Sequence, residues 1–289
     1  MDAPRSWRVR AELLRLALRS RVSRRAAVDP ACPTVVTMTT HRARLASVHL
    51  ALESIARGTV RPGRLLLWID DPALLAALPG SWRRLERRGV EILPAAREGV
   101  HTKWFPYVHG ADRHTRPLVT ADDDMIYPPG WLAGLVAAHR RHPGDVLCYR
   151  AHRMRFDGEA LAPYPTWGPC RDGVATIANF GTSVSGQLFP PHLLDAIAGA
   201  GTGFRDRCPH ADDVWLHHCA LRAGARVRQI VPEPIHFEFI PRTQDVALHR
   251  TNFSRDNDLQ IAATYDAADL ARVRAAVPEA DAARAGAVA

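Results

Sequence analysis

Lysine is almost missing from this sequence: Lys103 stands alone beside 37 arginines. Cysteine is scarce and poorly spaced for pairing. Cys32, Cys148, Cys170, Cys208 and Cys219 are odd in number and lie far apart, and no CxxC occurs. This argues against a disulfide framework or a zinc knuckle and for a reducing compartment. No apolar run approaches the roughly 18 residues of a membrane-spanning helix. The run Leu13 to Leu18 is broken by Arg15 and followed by no small-residue cleavage site, unlike a secretory signal. Also absent are internal repeats, a Walker A loop, a GxGxxG motif and any nucleic-acid-binding motif. What is present is ordinary globular material: 289 residues, 47% hydrophobic and 24% charged. Disorder and collagen-like repeats are excluded, and a chain of this length buries a large core unaided.

The net charge of +8 is unevenly spread. Residues 1–25 carry Arg5, Arg8, Arg10, Arg15, Arg19, Arg21, Arg24 and Arg25 against Asp2 and Glu12. The rest of the chain is close to neutral. Residues 6–26 read as an amphipathic helix, with Trp7, Ala11, Leu14, Leu18 and Val22 at helical spacing. Such a helix either lies on an anionic membrane surface or packs on its own domain.

From Thr34 the pattern alternates. Short apolar strands are expected at 34–38, 65–69, 90–93, 118–120 and 146–149. Helices are expected at 42–57, 73–88, 102–114 (interrupted by Pro106) and 131–141. Alternation of this kind implies βαβ units and a mostly parallel sheet covered on both faces. Residues 157–186 read as a long loop region, followed by helices at 190–198 and 212–222 and a strand at 226–231. The expected organisation is a basic helix over 1–30, a catalytic domain over 31–245, and a helical segment with a frayed Ala-rich tail over 246–289.

The strongest chemical signal is Thr-Ala-Asp122-Asp123-Asp124-Met-Ile-Tyr-Pro-Pro-Gly-Trp131. A buried strand ends and three carboxylates follow at once. Ligands of open α/β sheets bind beyond the carboxyl ends of the strands. Adjacent carboxylates repel, and a hard divalent cation such as Mg²⁺ or Mn²⁺ relieves that repulsion. A second acidic pair, Asp212-Asp213, opens a helix after a loop, where it serves as a helix cap or as a catalytic group.

The run TADDDMIYPPGW resembles the DxD region of GT-A fold glycosyltransferases, close to bacterial family 2-like sugar transferases. The resemblance extends over roughly residues 34–240. It implies a GT-A type, Rossmann-like fold and a metal-dependent transfer of sugar from a nucleotide-diphosphate sugar to a polysaccharide or lipid-linked glycan. Matched residue by residue, Asp122 and Asp124 are the outer aspartates that hold the metal, with Asp123 in the variable middle facing the nucleotide. Thr39 and Arg42 stand where the family's nucleotide-binding loop begins, and Arg42 is suited to a phosphate. Asp70 and Asp71 match an acid that bonds the base, or else cap the next helix. Lys103 matches a basic residue facing the nucleotide. Asp213 corresponds to the catalytic base of inverting enzymes and Asp212 to its neighbour, although this sequence has Asp where the family has Glu. His236 matches a late histidine that serves as a metal ligand. The loop Asn179–Gly186 resembles an acceptor-side glycine segment. Trp167 and Trp215 either stack on sugars or pack in the core. The implied location is cytoplasmic, peripheral at the inner face of the membrane, with no specific nucleic-acid partner. Two other classes fit the same acids or arginines: a nucleotidyltransferase or metal-dependent phosphohydrolase, and a non-enzymatic membrane or nucleic-acid binder.

Overall fold

A computed structural model of the chain describes residues 3–241, 243 and 256–277. In chain order the strands are β1 (Val35–Thr39), β2 (Arg64–Ile69), β3 (Val90–Pro94), β4 (Leu118–Thr120), β5 (Met125–Ile126), β6 (Val146–Cys148) and β7 (Ala151–Arg153). They continue with β8 (Phe156–Asp157), β9 (Ala160–Leu161), β10 (Gly168–Pro169), β11 (Asn179–Gly181), β12 (Gln187–Phe189), β13 (Val227–Gln229) and β14 (Glu238–Phe239). The helices are α1 (Ala3–Val22), α2 (Val48–Ala56), α3 (Pro72–Ala76), α4 (Gly80–Glu86), α5 (Phe105–His109), α6 (Trp131–Arg141), α7 (Pro191–Gly199), α8 (Phe204–Arg207) and α9 (Asp212–Arg222). Two further helices cover Asn257–Thr264 and Ala267–Ala275.

Seven strands form the central sheet in the order β13-β6-β12-β4-β1-β2-β3. All pairings are parallel except those of β12, which runs antiparallel to β4 and β6. The inner strands β1, β2 and β4 are mostly apolar because both faces are covered: Val35 and Leu66 face one core cluster, and Val36, Leu65 and Leu67 the other. The expected mostly parallel α/β sheet is therefore present. Its topology gathers one set of ends: the carboxyl ends of β1, β2, β4 and β6 and the amino end of β12 share one edge.

Several boundaries differ from the sequence reading. The helix expected over 42–57 begins only at Val48, and Arg42–Arg44 form a single 3₁₀ turn. The helix expected over 73–88 breaks into α3 and α4 at Pro79, which lacks the amide a continuous helix needs. Pro106 opens α5 from its first turn and interrupts nothing, because the donor it lacks is unused there. The long loop expected over 157–186 instead carries β8–β11. Two of these strands flank β7 in a small antiparallel sheet. The tail from Asp281 lies outside the described residues. All five cysteines are unpaired, and four are buried.

Helix α1 packs against α2 and α4. The residues turned inward are Val9, Leu13 and the fully buried Leu16. Arg19 reaches the buried Glu53 at 3.4 Å, and Glu53 also accepts from Arg88 Nη2 at 3.2 Å. The stripe Trp7, Leu14, Leu18 and Val22 takes no part in this packing and is exposed.

Gly186 closes the loop before β12 with φ 88° and ψ 140°, a conformation nearly restricted to glycine. A Cβ there would lie 2.7 Å from the ring of the buried Trp131, whose indole N–H donates to the Ser185 carbonyl at 2.9 Å. Gly186→Ala is expected to cost about 3 kcal/mol in urea unfolding, from backbone strain plus overpacking. A loss below about 0.5 kcal/mol would mean that the loop is not held as described.

Candidate active site

The sheet edge described above opens onto a cavity of about 660 Å³. At its floor β4 ends, and Ala121 still donates its amide to Thr37 at 2.9 Å. The chain then turns through Asp122–Asp124, with the Asp122 amide bonded to the Tyr127 hydroxyl at 2.6 Å. The three carboxylates diverge. Asp122 turns to Lys103, with Nζ 2.7 Å from Oδ1. Asp123 is buried, accepting from Thr40 Oγ1 at 2.5 Å and from Arg44 Nη1 at 2.5 Å. Asp124 lies 3.0 Å from Arg44 Nη2.

Lys103 ends a 3₁₀ turn over Gly99–Lys103 that is fixed from two sides. Its carbonyl accepts from Thr37 Oγ1 at 2.6 Å, and that hydroxyl accepts from the Trp68 indole at 2.9 Å. His101, buried against Phe204, donates through Nε2 to the Cys208 carbonyl at 2.8 Å. The ammonium also lies 3.0 Å from Asp212 Oδ2, so it bridges the end of β4 and the start of α9. Burial alone would depress the Lys103 pKa. Asp122 and Asp212 outweigh it, so the pKa is raised well above its ordinary value and the group is charged. Arg44 follows the same logic: burial opposes its charge, and Asp123 and Asp124 more than compensate.

Asp213 is held by neutral donors. Its Oδ1 accepts from the Ser183 amide at 3.0 Å, the Ser183 hydroxyl at 2.5 Å and Gln187 Nε2 at 2.9 Å. Burial and the neighbouring Asp212 push its pKa up to about 7, against the pull of Lys103 and Ser183. A carboxylate poised near neutrality and held on one oxygen has the character of a general base.

The cavity brings together Thr39, Asp70, Lys103, Asp122, Asp123, Asp124, Asp212, Asp213 and His236 from the sequence-selected residues. His236 arrives because β14 pairs with β5, immediately after the aspartates, and Ile240 donates its amide to the Asp124 carbonyl at 2.7 Å. Its Nδ1 donates to the Phe237 carbonyl at 3.0 Å. Arg42 and Asp71 are not among the lining residues. They pair on the surface at 2.6 Å, and Asp71 caps α3 through the amides of Ala73 and Leu74. Trp167 and Trp215 are core residues. Trp167 donates to the Ala162 carbonyl, and Trp215 packs on Phe204.

Sequence reasoning missed Arg44, Arg150 and Gln187. Arg150 was legible by rule, since it follows β6 at the ligand-binding edge of the sheet. Arg44 was half legible. The sequence His-Arg-Ala-Arg offers two arginines, and only the 3₁₀ turn selects the second. Gln187, the first residue of a short buried strand, carries no signal.

Six aspartates line the cavity, against Arg44, Lys103 and Arg150 as the lysine and arginine partners. A divalent cation offsets such an excess, and hard carboxylate oxygens suit Mn²⁺ or Mg²⁺. The buried Asp212 Oδ2 accepts no well-directed hydrogen bond, although Lys103 lies nearby. The donor set fits a metal by charge and chemistry. Among the described residues, no three acidic, histidine or cysteine side chains form a ready cage. The acids are instead held apart by their cations.

No protein-family model matches the chain, and no curated protein matches it by sequence. Solved structures match it in fold. A mannosyltransferase from Pyrobaculum calidifontis, in complex with GDP-Man and Mn²⁺, aligns with TM-score 0.51 and 15% identity over 89% of this chain and 72% of that one. A CMP:2-keto-3-deoxy-manno-octonic acid synthetase complexed with CTP aligns at 0.41 and 11%, over 68% and 88% of the two chains. A 4-diphosphocytidyl-2C-methyl-D-erythritol synthase aligns at 0.45 and 12%, over 81% and 100%. At these identities the likeness is one of fold. The first of the three bears out the expected α/β class of GT-A, Rossmann-like type.

Lys103→Met leaves Asp122 and Asp212 facing each other without their shared cation. We expect the unfolding free energy to fall by about 3 kcal/mol at neutral pH, as for a broken buried ion pair. Millimolar Mn²⁺ should recover part of that loss. Equal stability of the two proteins without metal would mean that the ammonium does not carry the site's charge balance.

Proposed function

We propose that the chain is a metal-dependent glycosyltransferase that moves a sugar from a nucleotide-diphosphate sugar to a hydroxyl acceptor, a polysaccharide or lipid-linked glycan, with inversion. One observation carries the reading. A strand-end acidic cluster and a helix-start acidic pair face one cavity, joined by Lys103, and on the second cluster Asp213 is held by neutral donors and its pKa is pushed up to about 7. The fold likeness to a mannosyltransferase in complex with GDP-Man and Mn²⁺ supports the same reading.

The roles follow from the environments. Asp213 takes the proton of the acceptor hydroxyl. The acceptor oxygen bonds to the anomeric carbon, the bond from that carbon to the diphosphate breaks, and the nucleoside diphosphate leaves with the electron pair. Ser183 and Gln187 orient Asp213, while Thr182 and Ser183 border the acceptor side of the cavity. Lys103 engages Asp212 and turns it away from the acceptor, which leaves Asp213 as the base. Asp124, with Asp122 and His236, would hold the cation, whose chemistry is to neutralise the charge that develops on the diphosphate. Asp123 anchors the turn through Thr40 and Arg44. Thr39 and Asp70 line the cavity at the ends of β1 and β2, the side assigned to the nucleoside. Arg42 and Asp71, at the rim, reach a nucleotide only if their mutual ion pair opens.

Asp213→Asn is expected to lower kcat by about 10³, within the range for loss of a general base, while nucleotide binding by thermal shift is retained. Asp124→Ala is expected to lose the Mn²⁺-dependent part of that shift. Unchanged turnover in both variants would refute the proposal.

The raised pKa of Asp213 gives a pH dependence of definite sign. Below about 7 the carboxyl is protonated and cannot accept a proton, so kcat/KM should rise with pH along a limb with its midpoint near 7. A profile already flat at pH about 5 would mean that the base is another group.

A further inference from the structure

The outward face of α1 is chemically complete for a partner that its own domain does not supply. Trp7, Leu14, Leu18 and Val22 are 60%, 72%, 60% and 65% exposed. They recur at intervals of seven, four and four residues and so form one stripe, opposite the inward Val9, Leu13 and Leu16. Exposed large apolar side chains are few among the described residues, and this helix holds most of them. At 100° per residue, Arg10 and Arg21 lie along one margin of the stripe and Arg8 and Arg15 along the other. All four are exposed. Arg8 also lies 5.9 Å from the Trp7 ring centroid. Glu12, the helix's acid among its described side chains, pairs with Arg57 and lies 3.6 Å from the largely exposed Arg15. The outward face thus presents a strip of apolar side chains between two rows of positive charge.

We infer that α1 docks the protein on an anionic lipid bilayer, with Trp7, Leu14, Leu18 and Val22 entering the interface and Arg8, Arg10, Arg15 and Arg21 meeting lipid phosphates. The charge pattern favours this occupant. A nucleic acid would engage the arginines and leave the leucines wet, and a second copy of the same face would bring arginine rows together. Inward anchoring makes the face rigid. Leu16 is buried in the core and Arg19 is tied to Glu53, so docking the helix docks the whole domain.

Docking also sets an orientation. A groove of about 950 Å³ runs between Trp7, Ala11 and Arg15 of α1 and the segment Phe237–Glu238. His236 lines both this groove and the site cavity. The docked face therefore lies on the side of the domain where His236 borders the acidic site. The inference does not depend on the reaction at that site.

The test is flotation of the full chain with vesicles of equimolar phosphatidylcholine and phosphatidylglycerol, against vesicles of phosphatidylcholine alone. The wild type is expected to float with the anionic vesicles only, and less so as salt is raised. Leu14→Ser/Leu18→Ser and Arg8→Ser/Arg15→Ser should each lower the bound fraction about tenfold. Their thermal midpoints should be unchanged, because these side chains point away from the core. The inference is overturned if the wild type does not float, if it floats equally with neutral vesicles, or if both variants bind as the wild type does. A dimer abolished by Leu14→Ser/Leu18→Ser, or RNA binding, in the absence of vesicle binding would overturn it equally.

Discussion

One ammonium group organises this site. Lys103 Nζ sits 2.7 Å from Asp122 and 3.0 Å from Asp212, so a single positive charge ties the end of β4 to the start of α9. Its own backbone is pinned to β1 through Thr37 and, through Thr37, to Trp68 of β2. Four elements distant in sequence are thus registered around one atom. A lysine suits that task. Its charge is compact and approaches two carboxylates from different directions, whereas a guanidinium is a broad planar fork best matched to one. In a chain with 37 arginines, the one lysine stands where a fork would fit badly.

The acids of the cavity divide according to what compensates them. Asp123 is consumed by Thr40 and Arg44 and acts as part of the scaffold. Asp122, Asp124 and Asp212 face cations that a divalent metal is suited to replace or supplement, and burial still raises the Asp122 pKa against Lys103. Asp213 has only neutral donors from Ser183 and Gln187 and is pushed toward neutrality. That division converts a block of like charges into distinct tasks. It depends on the antiparallel β12, which alone among the central strands brings its amino end, and with it the Ser183 loop, to the ligand edge of the sheet.

Much of the architecture was legible because burial on both faces writes β1, β2 and β4 as short apolar runs, and because Trp131–Arg141 and Asp212–Arg222 have clear helical periodicity. Asp122–Asp124 were legible because three consecutive carboxylates directly after a buried strand have few structural excuses, whereas Asp212–Asp213 shared the helix-start signature of Asp71, which proves to be a cap. What was not legible depends on direction. Whether Arg42 or Arg44 turns inward is decided by one 3₁₀ turn. The face by which α1 packs is decided by which apolar residues find partners: Val9, Leu13 and Leu16 rather than the more evenly spaced stripe of Trp7, Leu14, Leu18 and Val22. The short strands between Phe156 and Gly181 were hidden by Gly and Pro, because two- and three-residue strands are fixed by their partners and not by their own propensity.

Product identity bears most directly on the assignment of this site to sugar transfer. The purified chain, incubated with Mn²⁺ and a panel of nucleotide-diphosphate sugars and nucleoside triphosphates, would be followed by anion-exchange chromatography. Sugar transfer, or slow hydrolysis in the absence of acceptor, releases a nucleoside diphosphate from a nucleotide sugar. Pyrophosphate released from a triphosphate, with every nucleotide sugar left intact, would mean that the same acids serve nucleotidyl transfer and that the present assignment is wrong.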